Sequence, residues 1–483
     1  MSGTVFSGLQ EYVDACMEVD EYRIIEGADW NEEIGTLIEV TAELVPQPPM
    51  LIFDRIKGYP PGYRLVALVG ASYKRQALGL GLPTDRPREE LSRLGAKKIR
   101  EATPIPPVEV ATGPVMENQL TGDQVDMFRF PVARYHSMDG GRYIGTGDSL
   151  INRDPDSGYV NVGTYRMEVH DKDLLGLWMS PGQQGRLICQ RHWDKGEACP
   201  VVATFGADPM TFMASHSRLP WGKSELDHIG GLMGRPLEVV KGPLTGLPIP
   251  AHAEIAIEGE APPPSELARD EGPFGEWPGY YSGGSIGTGE PQPVIRIKAI
   301  YHRNNPIILS EAPLWPGARS ETVLSLGEGR GGVRDLEAAG IQDVVGVGSH
   351  MGYIRVVAIR QRYAGHAKQA AMATVAATRN GRWVVVVDED IDPNNFKEVM
   401  WAMTTRCEPA RDIQIVDDCW STPLDPLMPL DKRDSGDHTN SIAIFYATRP
   451  FHTKDTFPKV SRAPRELRNQ IIEKYRGILP FPD

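Results

Sequence analysis

RYIGTGDSLINRDPDSGYVNVGTYRMEVH, residues 142–170, sets two runs rich in β-branched and aromatic residues on either side of Asp-Pro-Asp-Ser-Gly. Pro presets φ, Gly admits positive φ, and Asp and Ser side chains bond nearby backbone, so the middle reads as a turn. The stretch predicts a β-hairpin. Around it PVVATFGAD (200–208), LEVVKG (237–242), AHAEIAIEGE (251–260) and PVIRIKAIYHR (293–303) continue the strand pattern. Several short strands at such spacing predict a barrel-like β domain over residues 111–310.

Both flanks alternate helix and strand. SGLQEYVDACMEVDEYRII (7–25) and WNEEIGTLIEVTAELV (30–45) have helical periodicity, PMLIFDRIKG (49–58) is a short apolar strand, and YRLVALVGASYKRQALGLGL (63–82) mixes the two. Residues 1–110 are thus an α/β domain, closed by the Pro-rich REATPIPPVEVATGP (100–114). Residues 311–335 are a linker. Beyond it YIRVVAIRQRY (353–363), GHAKQAAMATVAATR (365–379), RWVVVVDEDID (382–392) and NNFKEVMWAMTTR (394–406) form a second α/β domain over 336–450. The tail 451–483, with APRELRNQIIEKYRG, is charged and suited to packing on a neighbouring subunit. The fold class is mixed α/β and β, and the assembly expected is a homodimer or homohexamer.

The chain has 483 residues, enough for two to four domains, with a net charge of −13. That charge argues against nucleic acid as the main partner, because a polyphosphate backbone needs clustered Lys and Arg. No apolar run reaches the ~18 residues needed to cross a bilayer, and the N-terminus lacks the pattern of a secretory signal. Five scattered cysteines without CxxC spacing fit reduced thiols in a cytoplasmic protein.

GEGRGG (327–332) has G-x-G-x-x-G spacing but does not sit between a clear strand and a helix, so it is not read as a dinucleotide loop, and no Walker loop or HExxH occurs. Polar residues in the β segments carry more. Asn161 and Arg166, five apart, would face opposite sides of one ideal strand, and Gly163 between them could mark a bulge that turns both to one site. MSPGQQGR (179–186) offers Gln183 and Gln184 after a Pro-Gly turn, and Glu238 ends a strand. Amide and carboxylate oxygens together suit Mg²⁺ or Mn²⁺. EGPFGEWPGYY (271–281) fixes Glu271 and Glu276 around a Gly-Pro-Phe-Gly turn, followed by Trp277, Tyr280 and Tyr281. Exposed loops often carry Glu, so this stretch alone does not require a function.

FRFPVARYHSMDGGRYIGTG (128–147), NVGTYR (161–166), FMASHS (212–217), LEVVK (237–241), EGPFGE (271–276) and WAMTTRC (401–407) occur in the order typical of one family. Over most of its length the chain resembles the UbiD-type (de)carboxylases, which include ferulic acid decarboxylase and bacterial heteroaromatic acid decarboxylases. The resemblance implies prenylated FMN, made by a partner flavin prenyltransferase and held in a split β-barrel domain. It also implies an Arg-Glu-Glu triad, which falls on Arg166, Glu271 and Glu276. Glu271 would pair with Arg166, and Glu276 would donate a proton. The family's divalent ion, Mn²⁺ or Mg²⁺, is held by Asn, His and Glu, matched by Asn161, Gln184 and Glu238. Gln184 stands where His is usual, a departure from the pattern. A monovalent ion, K⁺ or Na⁺, would fall on Ala214, Ser215, Ser217, Glu238 and the main chain at Arg406.

Implied cofactor contacts are Asn161, Val162, Gly163, Thr164, Tyr165 and Arg166, with Gln183, Gln184, Ser215, His216 and Glu238. The implied reaction is reversible non-oxidative decarboxylation of an aromatic, heteroaromatic or α,β-unsaturated acid, releasing CO₂, through a covalent adduct with the flavin. Two other functions remain open from sequence. An FMN-dependent oxidoreductase would use the same barrel without the triad, and a non-catalytic subunit of a multi-component carboxylase would tolerate the Gln184 departure. Pocket lining was expected near LWPGARSETVLSLG (314–327).

Overall fold

The computed structural model describes residues 5–45, 47–145, 147–217, 219–282, 291–314, 331–378, 381–458 and 460. They divide into two compact units, one lying within Met1–Arg86, Leu91–Gly327 and Pro423–Asp437, the other within Pro87–Glu90, Glu328–Thr422 and His438–Asp483. Among the described residues no helix is long and apolar enough to cross a membrane.

The first unit opens with a four-stranded sheet in the order Tyr22–Glu26, Met50–Asp54, Arg64–Ala67, Ile307–Ser310. The first helix ends at Glu18, and Tyr22–Glu26 is a strand rather than its continuation. Met50 and Ile52 pack with Leu9, Tyr12 and Val13 of that helix, while Leu51 and Phe53 pack with Ile34 and Ile38 of Glu33–Leu44. Period-two alternation thus buries both faces of the strand. Strand Ile307–Ser310 belongs to this sheet, pairing with Arg64–Ala67, although its position in sequence suggested the β domain. Arg75, fully buried, ties the layer together. Its guanidinium donates to the carbonyls of Val69, Leu68, Pro48 and Glu21 and pairs with the Glu21 carboxylate at 2.8 Å.

The second sheet has ten strands. Its main path runs Arg142–Gly145, Met167–Asp171, Leu174–Gly176, Gln292–His302, Ile255–Ala261, Cys199–Phe205, Asp148–Arg153, Val160–Gly163. The expected single hairpin is therefore two nested pairs. Asp148–Arg153 and Val160–Gly163 pair around the Asp-Pro-Asp-Ser-Gly turn, with Asn152 opposite Asn161, while Arg142–Gly145 pairs with Met167–Asp171. These pairs are the two opposite ends of the path, yet only Thr146 and Gly147 separate Gly145 from Asp148. Covalent continuity draws the two edges together, so the sheet curls into a half-barrel. The seam is tight. A Cβ on Gly145 would lie 2.6 Å from the Tyr165 carbonyl oxygen.

The second unit holds a five-stranded sheet in the order Val344–His350, Ile354–Ile359, Trp383–Asp388, Thr439–Ala447, Ile413–Trp420. Val384 and Val386 pack with Ala367, Ala370 and Ala371 of helix His366–Ala377, whereas Val385 and Val387 pack with Val399 and Ala402 of Phe396–Arg406. A valine run buried on both faces is what a helix-covered central strand requires. The expected linker 311–335 is described only at 311–314 and 331–335, where helix Val333–Ala338 begins. The tail segment 463–477 and, apart from Leu314, the stretch 314–327 lie outside the described residues.

Replacing Arg75 with Met should destabilise the first unit by about 3–5 kcal/mol, the cost of breaking a buried ion pair from one side. A lowered urea midpoint checks it; an unchanged one shows that Arg75 does not hold the layer.

Candidate functional site

Arg166 occupies the seam. Strand Val160–Gly163 ends before it, strand Met167–Asp171 begins after it, and Arg166 itself makes an isolated bridge to Trp178. Asn161 and Arg166 are thus both buried because the strand stops, not because Gly163 bulges. The guanidinium donates Nε–H and Nη2–H to the two Glu271 oxygens, the latter at 2.5 Å, and Nη1–H to Glu276 Oε1. Its faces are covered by Trp178 at 4.6 Å and Phe274 at 4.9 Å. Burial works against the Arg166 charge, and the Glu271 and Glu276 carboxylates more than offset it, raising its pKa. A planar fork is the group that can grip one carboxylate with two bonds and reach a second with a third.

The 271–276 turn is held through its backbone. Phe274–Gly275 pairs antiparallel with Tyr281–Ser282, and Gly272 takes φ +82°. The Gly272 amide donates to Glu168 Oε2 at 3.0 Å, and the Gly275 amide donates to Asp139 Oδ1 at 2.9 Å. Asp139, itself buried, also accepts from the His136 amide. The Pro273 carbonyl accepts from the Gly140 amide at 2.7 Å. Neither Asp139 nor Glu168 was singled out from sequence, because nothing local to them signals a partner more than a hundred residues away.

A second group of oxygens lies along the preceding strand. Asn161 is buried and donates to Asn152 Oδ1. Tyr165 hydroxyl accepts from the Gly185 amide and interacts with the Asn161 side chain. Gln184, first residue of helix Gln184–Trp193, accepts from the Tyr159 hydroxyl at 2.8 Å, and Gln183 Oε1 accepts from the Ser180 amide. The carboxylate beside them is Glu225. Its Oε2 accepts from the Val162 amide at 3.0 Å, it interacts with the Tyr159 hydroxyl, and burial pushes its pKa up to about 7.

Glu238 stands elsewhere in the bonding pattern. It begins its strand rather than ending it and pairs with His252 at 2.9 Å. Glu225 was legible in principle, since Ser224 caps the helix Glu225–Met233 and acidic residues favour a first helical turn. Helix Pro209–Ser215 ends at the next expected positions. Ser215 hydroxyl shares a hydrogen bond of 2.6 Å with Ser149, the Ala214 carbonyl accepts from the Ser217 amide, and His216 is exposed. Arg406 belongs to the second unit, where it pairs with Asp388 and Asp390. Among the described residues, no cluster of three His, Cys, Asp or Glu side chains is placed to hold a metal ion.

The first unit joins a four-stranded α/β layer to a curled ten-stranded sheet, and its buried Arg166 is shared by two glutamates. The chain belongs to the UbiD family: residues 107–314 match the 3-octaprenyl-4-hydroxybenzoate carboxy-lyase Rift-related domain, 13–94 its N-terminal domain and 333–444 its C-terminal domain. It is 33% identical to a phenolic acid decarboxylase of Bacillus subtilis, covering 82% of this chain and 87% of that protein. It is 31% identical to a pyrrole-2-carboxylic acid decarboxylase of Pseudomonas aeruginosa, covering 80% and 79%. The structure of the UbiD-class enzyme HmfF from Pelotomaculum thermopropionicum in complex with FMN superposes with a TM-score of 0.81 at 26% identity, covering 95% of this chain and 98% of that one. An evolved dimeric form of HmfF has been described in complex with prFMN.

Substituting Asp139 by Ala should leave the Gly275 and His136 amides without their acceptor, each such loss costing about 1–3 kcal/mol. Amide hydrogen exchange over 271–276 is expected to quicken, with exchange around Arg75 unchanged. Equal protection in the variant would show that Asp139 does not secure the turn.

Proposed function

We propose that this protein decarboxylates an aromatic, heteroaromatic or α,β-unsaturated monocarboxylic acid with prenylated FMN as cofactor. The observation that carries the reading is the buried Arg166 guanidinium shared by Glu271 and Glu276 across one turn. The relatives' names and the flavin complexes of HmfF support it.

The residues present fit the flavin phosphate and a hard cation. Asn161, Gln184 and Glu225 would each supply an oxygen ligand, which suits Mn²⁺ or Mg²⁺, and the positive dipole end of the helix beginning at Gln184 would favour an anion. Glu225 takes the role that sequence gave to Glu238. Bound prenylated FMN, supplied by a flavin prenyltransferase, would provide an electron sink for the carbon losing CO₂. Trp178 and Phe274 keep water from the faces of Arg166. Arg166 holds Glu271 by two bonds and Glu276 by one, so Glu276 gives up less on taking part in proton transfer. As the carbon–carbon bond breaks, its electron pair stays on the substrate carbon; a proton from Glu276 replaces the lost CO₂, and Glu276 is reprotonated from solvent.

Glu276→Gln should keep the flavin and lose ~10²–10⁴-fold in decarboxylation, the usual worth of a general acid. The assay is CO₂ release from benzoates, pyrrole-, furan- and indole-carboxylates and cinnamates, with and without prenylated FMN. Turnover with plain FMN and NAD(P)H but no CO₂ from any acid would replace this reading with the oxidoreductase.

Glu225→Ala should lose divalent metal and flavin together, whereas Glu238→Ala should retain both. Metal analysis and flavin absorbance of the purified proteins check this. The opposite pattern would return the ligand role to Glu238.

A further inference from the structure

Glu168 lies two residues beyond Arg166 and takes no part in the proton transfer or cofactor binding described above. On strand Met167–Asp171 the side chains of Met167 and Val169 enter the hydrophobic core, so Glu168 points to the other face by period-two alternation. There it is buried and joins three segments. Its Oε2 accepts from the Gly272 amide at 3.0 Å and from the Tyr143 hydroxyl at 3.3 Å, and the Tyr143 ring lies 4.2 Å from that of Phe274. Its Oε1 lies against Gly141, where a Cβ would be only 2.3 Å away. The fit leaves the carboxyl little room to move.

We propose that Glu168 is a positioning residue for the decarboxylation, fixing the Gly272 amide so that Glu271 and Glu276 meet Arg166, and that it stores a proton beside the two carboxyl groups that Arg166 grips. This rests on the decarboxylase reading. The ionisable groups facing Glu168 are Arg166 just before its strand, His170 on the same strand face, Tyr143 from the paired strand and Glu271 from the turn. The adjoining strand Leu174–Gly176 brings none. Burial pushes the Glu168 pKa up to about 7; Glu271 adds to the rise, and the Gly272 amide, Tyr143 and Arg166 oppose it. The group is therefore neutral below about pH 7 and ionised above it. Above that point its charge resists ionisation of the neighbouring carboxyls.

Two variants separate the two roles. Gln accepts the same hydrogen bonds and cannot ionise; Leu does neither. Glu168→Leu should lower kcat ~10-fold or more at every pH, with KM changed little and Gly272 amide exchange faster. Glu168→Gln should keep Gly272 protected and restore much of kcat, while the basic limb of kcat/KM moves down by about half a pH unit or more, because the like charge is gone. A protonated-carboxyl infrared band titrating near neutrality should disappear in Glu168→Gln. Thermal midpoint and flavin content confirm that each variant folds. Wild-type kcat and Gly272 exchange in Glu168→Leu would overturn the positioning role. A superimposable pH profile and unchanged infrared band in Glu168→Gln would overturn the proton store. If the wild type releases CO₂ from no acid, the decarboxylase reading falls, and the exchange and infrared measurements still decide what Glu168 does.

Discussion

One buried guanidinium serves two buried carboxylates. An isolated buried arginine would be costly, and two buried carboxylates without a cation more so; together, with Nε, Nη1 and Nη2 each donating to a carboxylate oxygen, they are tolerable. That balance exists only if Arg166, Glu271 and Glu276 arrive from segments a hundred residues apart with their atoms in register. Much of the surrounding structure acts to bring them there.

The curled sheet is the first requirement. Because residues 142–170 supply strands at both ends of the ten-stranded path, the chain crosses the seam twice, at Gly145–Asp148 and again at Gly163–Met167. Each crossing frees a short length of backbone from the hydrogen-bond ladder. Asn161 sits just before the second crossing and Arg166 at its end, and both side chains are buried around this one break in the strand. An unbroken strand would have sent them to opposite faces.

Much of this was readable in the amino acids, within limits that have physical causes. Apolar runs such as VVVV at 384–387 and the turn residues at 154–158 are local signals, and the elements they imply are present. The helix expected over 7–25 stopped at Glu18 because Tyr22–Glu26 finds a parallel partner in Met50–Asp54, which no local periodicity reveals. Nesting of the hairpins and the transfer of Ile307–Ser310 to the first sheet are pairing choices of the same kind. At the site, Arg166, Glu271 and Glu276 were named from the motif order, and the structure brings them together. The family resemblance implied Glu238 as a metal ligand, and Glu225 was not considered; in the structure Glu238 pairs with His252, while Glu225 accepts from the Val162 amide. Asp139 and Glu168 act on distant backbone amides and leave no trace in their own neighbourhoods.

Those two carboxylates explain why the 271–276 turn needs so little from its own side chains for support. A turn held by its side chains must spend them on packing and has few left for chemistry. Here the amides of Gly272 and Gly275 are gripped from behind by Glu168 and Asp139, and the Pro273 carbonyl by the Gly140 amide. Glycine at 272 and 275 is what lets the backbone come that close: a Cβ on Gly275 would lie 2.6 Å from the His136 ring nitrogen. With the backbone fixed by other segments, Glu271 and Glu276 are left to face Arg166, and Phe274 to cover it. The support is also acidic. Carboxyl groups that secure the turn lie next to the carboxyl groups it presents, so the groups that fix its position also bear on its charge.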